Sequence, residues 1–232
     1  MSAGRDVPSE RDTSDGRDVP GESIYSTAPF AAMGQSATQE ANHGMGTPGY
    51  SEPAKLICAV MGQDEAMLNR GRDLMAERYG EAELTSPVFE FSFTSYYEPE
   101  MGAGLVKRFI GFGPLVDPAD LAGIKRTSND LEAGVARPDS LPGRGVNIDP
   151  GYINGGQLVL ATTKNYSHRI YLGNGIYAEL TLLYTRGAFT PMPWTYRDYR
   201  TDEALAFFAR VRGAFLAQRG KPQPGGSQAP AR

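Results

Sequence analysis

Large apolar residues are sparse and without period over residues 1–53, and become dense and periodic from Lys55. Residues 55–61, bounded by Gly62, form an apolar run with the pattern of a buried strand. Met67, Leu68, Leu74, Met75 and Tyr79 then fall on one stripe, which predicts a helix over 64–79. Asp64 and Glu65 suit its positive end and Gly80 its stop. Phe89, Phe91 and Phe93 alternate with Glu90, Ser92 and Thr94, so 88–97 reads as a half-buried strand, with a short helix expected over 101–111. Asp117 as N-cap and Pro118 at the first helical position open the next helix. Its face of Leu121, Ile124, Leu131 and Val135 carries it to about Ala136, before a loop over 138–145.

From Val146 to Phe189 the chain is β-rich. Residues 157–164, 168–173 and 176–185 are dense in Leu, Ile, Val, Tyr and Thr, and a turn at Arg186-Gly187 returns a short strand through Phe189. Asn174-Gly175 between two of these runs is a strong hairpin signal. Thr201 caps a last helix over 202–218, whose apolar side carries Leu205, Phe208, Val211, Phe215 and Leu216. The order predicts an α+β fold: a mixed, mainly antiparallel sheet with a C-terminal β-meander, and helices packed on it.

Residues 54–219 are expected to form a single α+β domain between disordered tails, 1–53 and 220–232. The tails are rich in Gly, Pro and small or polar residues, and bury too little apolar area to offset their ordering entropy. Gly-Arg-Asp-Val-Pro occurs at 4–8 and again at 16–20, open to reading as a docking motif or as low-complexity drift.

Composition narrows the chemistry. A net charge of −4 indicates no bulk attraction to nucleic acid or to an anionic membrane. No apolar run approaches the ~20 residues of a membrane helix, and no signal peptide is visible, so a cytoplasmic protein with no membrane partner is expected. Cys58, the one cysteine, lies in the apolar run and reads as an inert buried thiol. Of the two histidines, His43 falls in the N-terminal tail, leaving His168. No zinc, haem or iron–sulfur site is expected from such a set. The P-loop, Rossmann and nucleophile-elbow strings are absent.

The hairpins place candidate chemistry. A two-residue turn at 174–175 pairs 173 with 176, 170 with 179 and 168 with 181. A three-residue turn at 165–167 pairs 164 with 168 and 162 with 170. Directly paired residues share a face, so Thr162, Lys164, His168, Glu179 and Thr181 are expected together, with Arg169 on the other side. Such a face can hold a small anion and move a proton. Lys164 and Arg169 would hold the anion, His168 would give or take the proton, and Glu179 would orient it. This requires Lys164, His168 and Glu179 to meet in one concave pocket. An ordinary solvated sheet face is the competing reading, and a one-residue slip would bring Arg169 beside Lys164.

Three flanking strings add candidates. Glu98 in 96–102 and Asp149 in 147–152 could bring Mg²⁺ to a strand end, with Tyr97 and Asn147 as ligand-binding neighbours. Helix capping by Glu98 and turn formation by Asp149-Pro150-Gly151 are the alternatives. Trp194 lies in Pro-Trp-Thr-Tyr-Arg-Asp-Tyr-Arg (193–200), which could stack bases or plug a sheet edge.

Tyr-Tyr-Glu-Pro-Glu-Met-Gly (96–102), Asn-Ile-Asp-Pro-Gly-Tyr (147–152), Leu-Ala-Thr-Thr-Lys (160–164), His-Arg-Ile-Tyr-Leu-Gly-Asn-Gly-Ile-Tyr-Ala-Glu (168–179) and the 193–200 string together resemble the bacterial family called domain of unknown function 4416. The resemblance spans roughly 55–218. Members sometimes carry a GTP-binding label, which the absence of a P-loop and of an N-K-x-D string does not support. The function expected is binding, with turnover left open, of a small phosphate- or carboxylate-bearing ligand such as a nucleotide. The alternative is a non-catalytic interaction module using the 193–200 segment. RNA binding through that segment is disfavoured by the acidic net charge.

Overall fold

The computed structural model describes residues 49–139 and 141–219. The expected tails, with the repeat at 4–8 and 16–20, lie outside the described residues except for 49–53, which are exposed and irregular. Strand β1 (Ala54–Gly62) is buried at every position. Leu56, Cys58 and Val60 face one side of a sheet, and Ile57 and Ala59 the other. Because both faces are covered, the strand reads as an unbroken apolar run. Helix α1 (Glu65–Tyr79) follows, opened by Asp64, whose carboxylate accepts from the Met67 amide at 2.9 Å.

Eight further strands join β1: β2 (Ala82–Thr85), β3 (Phe89–Glu90), β4 (Val106–Val116), β5 (Val146–Ile153), β6 (Gln157–Thr162), β7 (Ile170–Gly173), β8 (Ile176–Thr185) and β9 (Ala188–Pro191). Their order is β2-β4-β1-β5-β6-β8-β7, with β3 also on β4 and β9 also on β8. Every pairing among the described residues is antiparallel. Short helix α2 (Glu98–Met101) precedes β4; α3 (Leu121–Ala133) and α4 (Asp202–Arg219) complete the set. Leu68, Met75 and Ile124 of α1 and α3 pack on one face, while Phe207, Phe208 and Val211 of α4 pack on the other. The fold class is α+β, as the element order implied.

Several expected details differ. The helix expected over 101–111 is largely strand β4. Gly111, Gly113 and Pro114 resist helix there. The strand lies between β1 and the β2/β3 edge, with Phe109 toward α4 and Ile110 and Phe112 toward α1, so no two-residue alternation shows. Of the strand expected over 88–97, only Phe89–Glu90 pairs, and Phe91 instead packs against Phe93 and Tyr97. Asp149-Pro150-Gly151 is not a turn but lies inside β5.

The β-rich region also departs from a sequential meander, because β8 lies between β6 and β7. Gly173 does pair with Ile176 across Asn174-Gly175, both at positive φ (54° and 77°). A bulge then sets Ile170 opposite Ala178 rather than Glu179. Residues 162 and 170 do not pair. Thr162 faces Tyr177 and Leu160 faces Glu179, so 163–169 crosses over to the far side of β8.

One irregularity positions everything that follows. The β5–β6 ladder holds only Gly151↔Leu160, Tyr152↔Val159 and Ile153↔Leu158. A Cβ on Gly151 would lie 2.4 Å from the Val159 carbonyl oxygen, so only glycine allows the strands this close at the vertex. Pro150, one residue earlier, has no amide to extend the ladder. Beyond that vertex the two strands part.

Candidate functional site

A cleft of about 1010 Å³ opens where β5 and β6 part. Its walls come from Lys107 on β4, Asn147 and Asp149 on β5, Ala161 and Thr162 on β6, and Glu179 on β8. Phe91, Tyr96 and Tyr97 close one side, and residues 195–199 close another. Lys125 of α3 reaches into the gap left by the missing ladder. Its Nζ donates to the Ile148 carbonyl at 2.9 Å and to Asp149 Oδ1 at 3.0 Å.

Five cations and five carboxylates line the cleft, and most are bound to each other. Lys107 Nζ lies 2.6 Å from Asp198 Oδ2, both side chains buried. Asn147 Nδ2 donates to Asp149 Oδ2 at 2.7 Å. Glu132 of α3 accepts from the Ile148 amide at 2.7 Å and pairs with Arg144, which also meets Glu100 at 3.0 Å. Burial raises the Glu132 carboxyl above its ordinary value despite Lys125 and Arg144. Burial also pushes up the Tyr97, Tyr196 and Tyr199 hydroxyls. Two lining cations, Lys164 and Arg197, are exposed and have no carboxylate partner among the described residues.

The crossing loop holds the other anchor. Arg169 Nε donates to Glu179 Oε2 at 2.8 Å, and His168 Nε2 lies 3.1 Å from the same oxygen. Arg169 also donates to the Lys164 carbonyl at 2.9 Å and the Tyr196 hydroxyl at 2.7 Å, tying the Lys164 and Arg197 loops to one rim. His168 stacks on Trp194, ring centroids 4.7 Å apart.

Thr162, Lys164, Glu179, Asn147, Tyr97 and Asp149 all line the cleft. His168 does not; it stands behind Glu179, so Lys164, His168 and Glu179 do not meet in one pocket, and the site as the strand register built it, with His168 moving a proton, fails its own requirement. Arg169 does not sit on the opposite side from Glu179 but binds it, because the 163–169 loop rather than the sheet register carries His168 and Arg169 to Glu179 on β8. Glu98 is exposed on α2 and outside the lining, and both Asp149 oxygens are engaged by Lys125 and Asn147. Among the described residues no cluster of three acidic, His or Cys side chains is arranged to hold a metal ion. Trp194 is used inside the fold, its Nε1 donating to the Leu180 carbonyl at 2.8 Å.

Sequence reasoning missed Lys107, Lys125, Glu132 and Arg144, and touched Arg197 and Asp198 only as part of the 193–200 string. The available signal was a charge set in an apolar stretch: Lys107, with Arg108, between Val106 and Phe109, and Lys125 and Glu132 beside the apolar stripe of α3. Such charges are buried only when paired.

The network gives a pH dependence. Burial works to raise the Asp149 carboxyl, but Lys125 and Lys107, with hydrogen bonds from Lys125 and Asn147, outweigh it and hold the group at about 2, below its ordinary 3.8. A carboxyl depressed in the fold adds stability above its ordinary value and loses it as pH falls to the folded value. Stability therefore declines from pH 3.8 to about 2, and Asp149→Asn removes that part of the decline. Glu132 acts with the opposite sign, its ionisation opposing the fold as pH climbs above its ordinary 4.5. Urea midpoints of wild type and Asp149→Asn across this range check the assignment.

No helix among the described residues is long and apolar enough to cross a membrane. A family model described as "Domain of unknown function (DUF4416)" matches residues 52–215. No curated protein and no solved structure matches the chain.

Proposed function

The chain belongs to the family described as domain of unknown function 4416, and on that premise we propose that its cleft binds a small ligand bearing a phosphate or carboxylate, with a nucleotide as the best-fitting class. The observation that carries this reading is the pair of cations, Lys164 and Arg197, that have no carboxylate partner among the described residues. Every other cation lining the cleft is bound to a carboxylate. The cleft volume suits a small-molecule site. Its aromatic side chains offer faces on which a planar base can stack. Tyr96 already lies under Lys164 Nζ, 3.9 Å from the ring centroid. Because Trp194, Thr195 and Tyr199 are turned inward and residues 195–199 form a wall of the cleft, the observations favour the cleft over a separate interaction surface on the 193–200 segment.

A thermal-shift series with ribonucleoside mono- and triphosphates and with citrate, each with and without Mg²⁺, tests the proposal. At least one probe is expected to raise the melting temperature. The double variant Lys164→Ala/Arg197→Ala should fold normally, since both side chains are exposed, yet bind that probe more weakly. Charge-assisted hydrogen bonds contribute about 1.5–3 kcal/mol each, so the loss should be about tenfold or more. A probe that binds both proteins equally would place the site elsewhere.

A further inference from the structure

Glu179 meets the cleft with one oxygen committed and one free. Its side chain is 2% exposed, and Oε2 takes both Arg169 and His168. Oε1 is buried and has no hydrogen-bond partner among the described residues. The hydroxyl of Tyr199, which also lines the cleft, is buried and unpartnered in the same way. Buried polar atoms are nearly always paired, and leaving an acceptor unpaired is costly. Glu179 cannot turn to relieve the deficit, because Arg169 is itself fixed by the Lys164 carbonyl and the Tyr196 hydroxyl.

An immobile, acceptor-only oxygen accepts an N–H or O–H and repels a second anion. A site whose buried polar group must be paired discriminates strongly against ligands that lack the matching group. We infer that Glu179 is a specificity-determining residue: among anionic ligands it selects those that also carry an N–H or O–H donor, such as a nucleoside or sugar phosphate, over a bare or alkylated anion. The inference rests on the anion-binding reading of Lys164 and Arg197 and supplies the other end of the ligand. The anionic group sits at the exposed rim and the donor sits inside, against Glu179. His168 and Arg169 act through Glu179, as positioning residues.

The test is a ¹⁵N chemical-shift titration of the full chain at pH 8, which reads weak binding, with two probes. Adenosine 5′-monophosphate carries hydroxyl and amino donors; propyl phosphate, as the dianion, carries none. The nucleotide is expected to bind the wild type at least about tenfold more tightly. In Glu179→Gln, which turns an amide N–H₂ or a weaker acceptor to the cleft, nucleotide affinity falls by about tenfold or more while propyl phosphate is unaffected. Glu179→Asp keeps the charge for Arg169 and withdraws the free oxygen by one methylene; it should show the same selective loss if the Gln variant does not fold.

Unchanged nucleotide affinity in both variants overturns the inference and leaves Oε1 served by solvent. Equal losses for both probes also overturn it, since Glu179 would then act only by holding Arg169 at the rim. In both cases the anion-binding reading stands if propyl phosphate binding is lost in Lys164→Ala/Arg197→Ala. If neither probe binds the wild type, that reading fails and the inference with it.

Discussion

Asp198→Ala is expected to destabilise the fold by about 3–5 kcal/mol, the range for removing one partner of a buried ion pair. Lys107 Nζ is 2.6 Å from Asp198 Oδ2, with the two side chains 8% and 4% exposed. The ammonium also lies 5.0 Å from the centroid of Phe91 and 5.3 Å from that of Tyr199. Ring faces attract a cation by only about 0.5–2 kcal/mol, too little to replace a carboxylate beside a charge this buried. Against a typical total of about 5–15 kcal/mol, the loss would leave a marginal protein. Lys107→Met in the Asp198→Ala background removes the orphaned charge and should recover much of the loss. Urea midpoints of the three proteins decide. A single variant within about 1 kcal/mol of wild type would mean that the pair behaves as a solvated one.

The pair also shows where sequence reading stops. Lys107 and Asp198 are 91 residues apart, and no local pattern connects them. What was legible was whatever a single element encodes. The α3 face, the Thr201 cap of α4, the buried run of β1 and the Asn174-Gly175 turn all follow from spacing and backbone chemistry within a few residues. Strand β4 was not legible, because a strand buried on both faces loses its alternation and retains only its glycines and proline as a warning. The splay between β5 and β6 was not legible either. It depends on Gly151 meeting Val159 across the sheet, and the same Asp-Pro-Gly string is equally good turn chemistry.

The site was legible in some of its members and not in its construction. Lys164, Glu179 and His168 were grouped on an assumed pairing of neighbouring strands, with Arg169 on the other side. Glu179, His168 and Arg169 come together because the 163–169 crossover carries His168 and Arg169 over β8 to reach Glu179. Polar density in 162–169 was the transferable signal: a segment rich in Thr, Lys, Asn, Ser, His and Arg between two apolar strands must be satisfied somewhere. The strand order decided where. That order also explains the balance of the cleft. The carboxylates deep in it are neutralised from α3 and β4, and the cations left over are those on the two rim loops tied by Arg169.

Glu132 carries the second large effect, because it joins helix to sheet at the cleft wall. One oxygen accepts from the Ile148 amide at 2.7 Å; the other pairs with Arg144, and Lys125 Nζ lies 3.8 Å away. Glu132→Ala removes the acceptor for a strand amide and the counter-charge for two cations at once, an expected loss of about 3–5 kcal/mol. Glu132→Gln retains one acceptor oxygen and the volume, and removes only the charge. Burial already opposes that charge, raising the Glu132 carboxyl. The Gln variant should therefore lose less, about 1–3 kcal/mol. The ordering of the two variants, read from urea midpoints near neutral pH, is the discriminating result. Equal losses would mean that the ion pairs to Lys125 and Arg144 carry the effect and the bond to Ile148 adds little. A loss confined to Ala would mean the reverse, with the wall of the cleft held by one side-chain-to-backbone hydrogen bond.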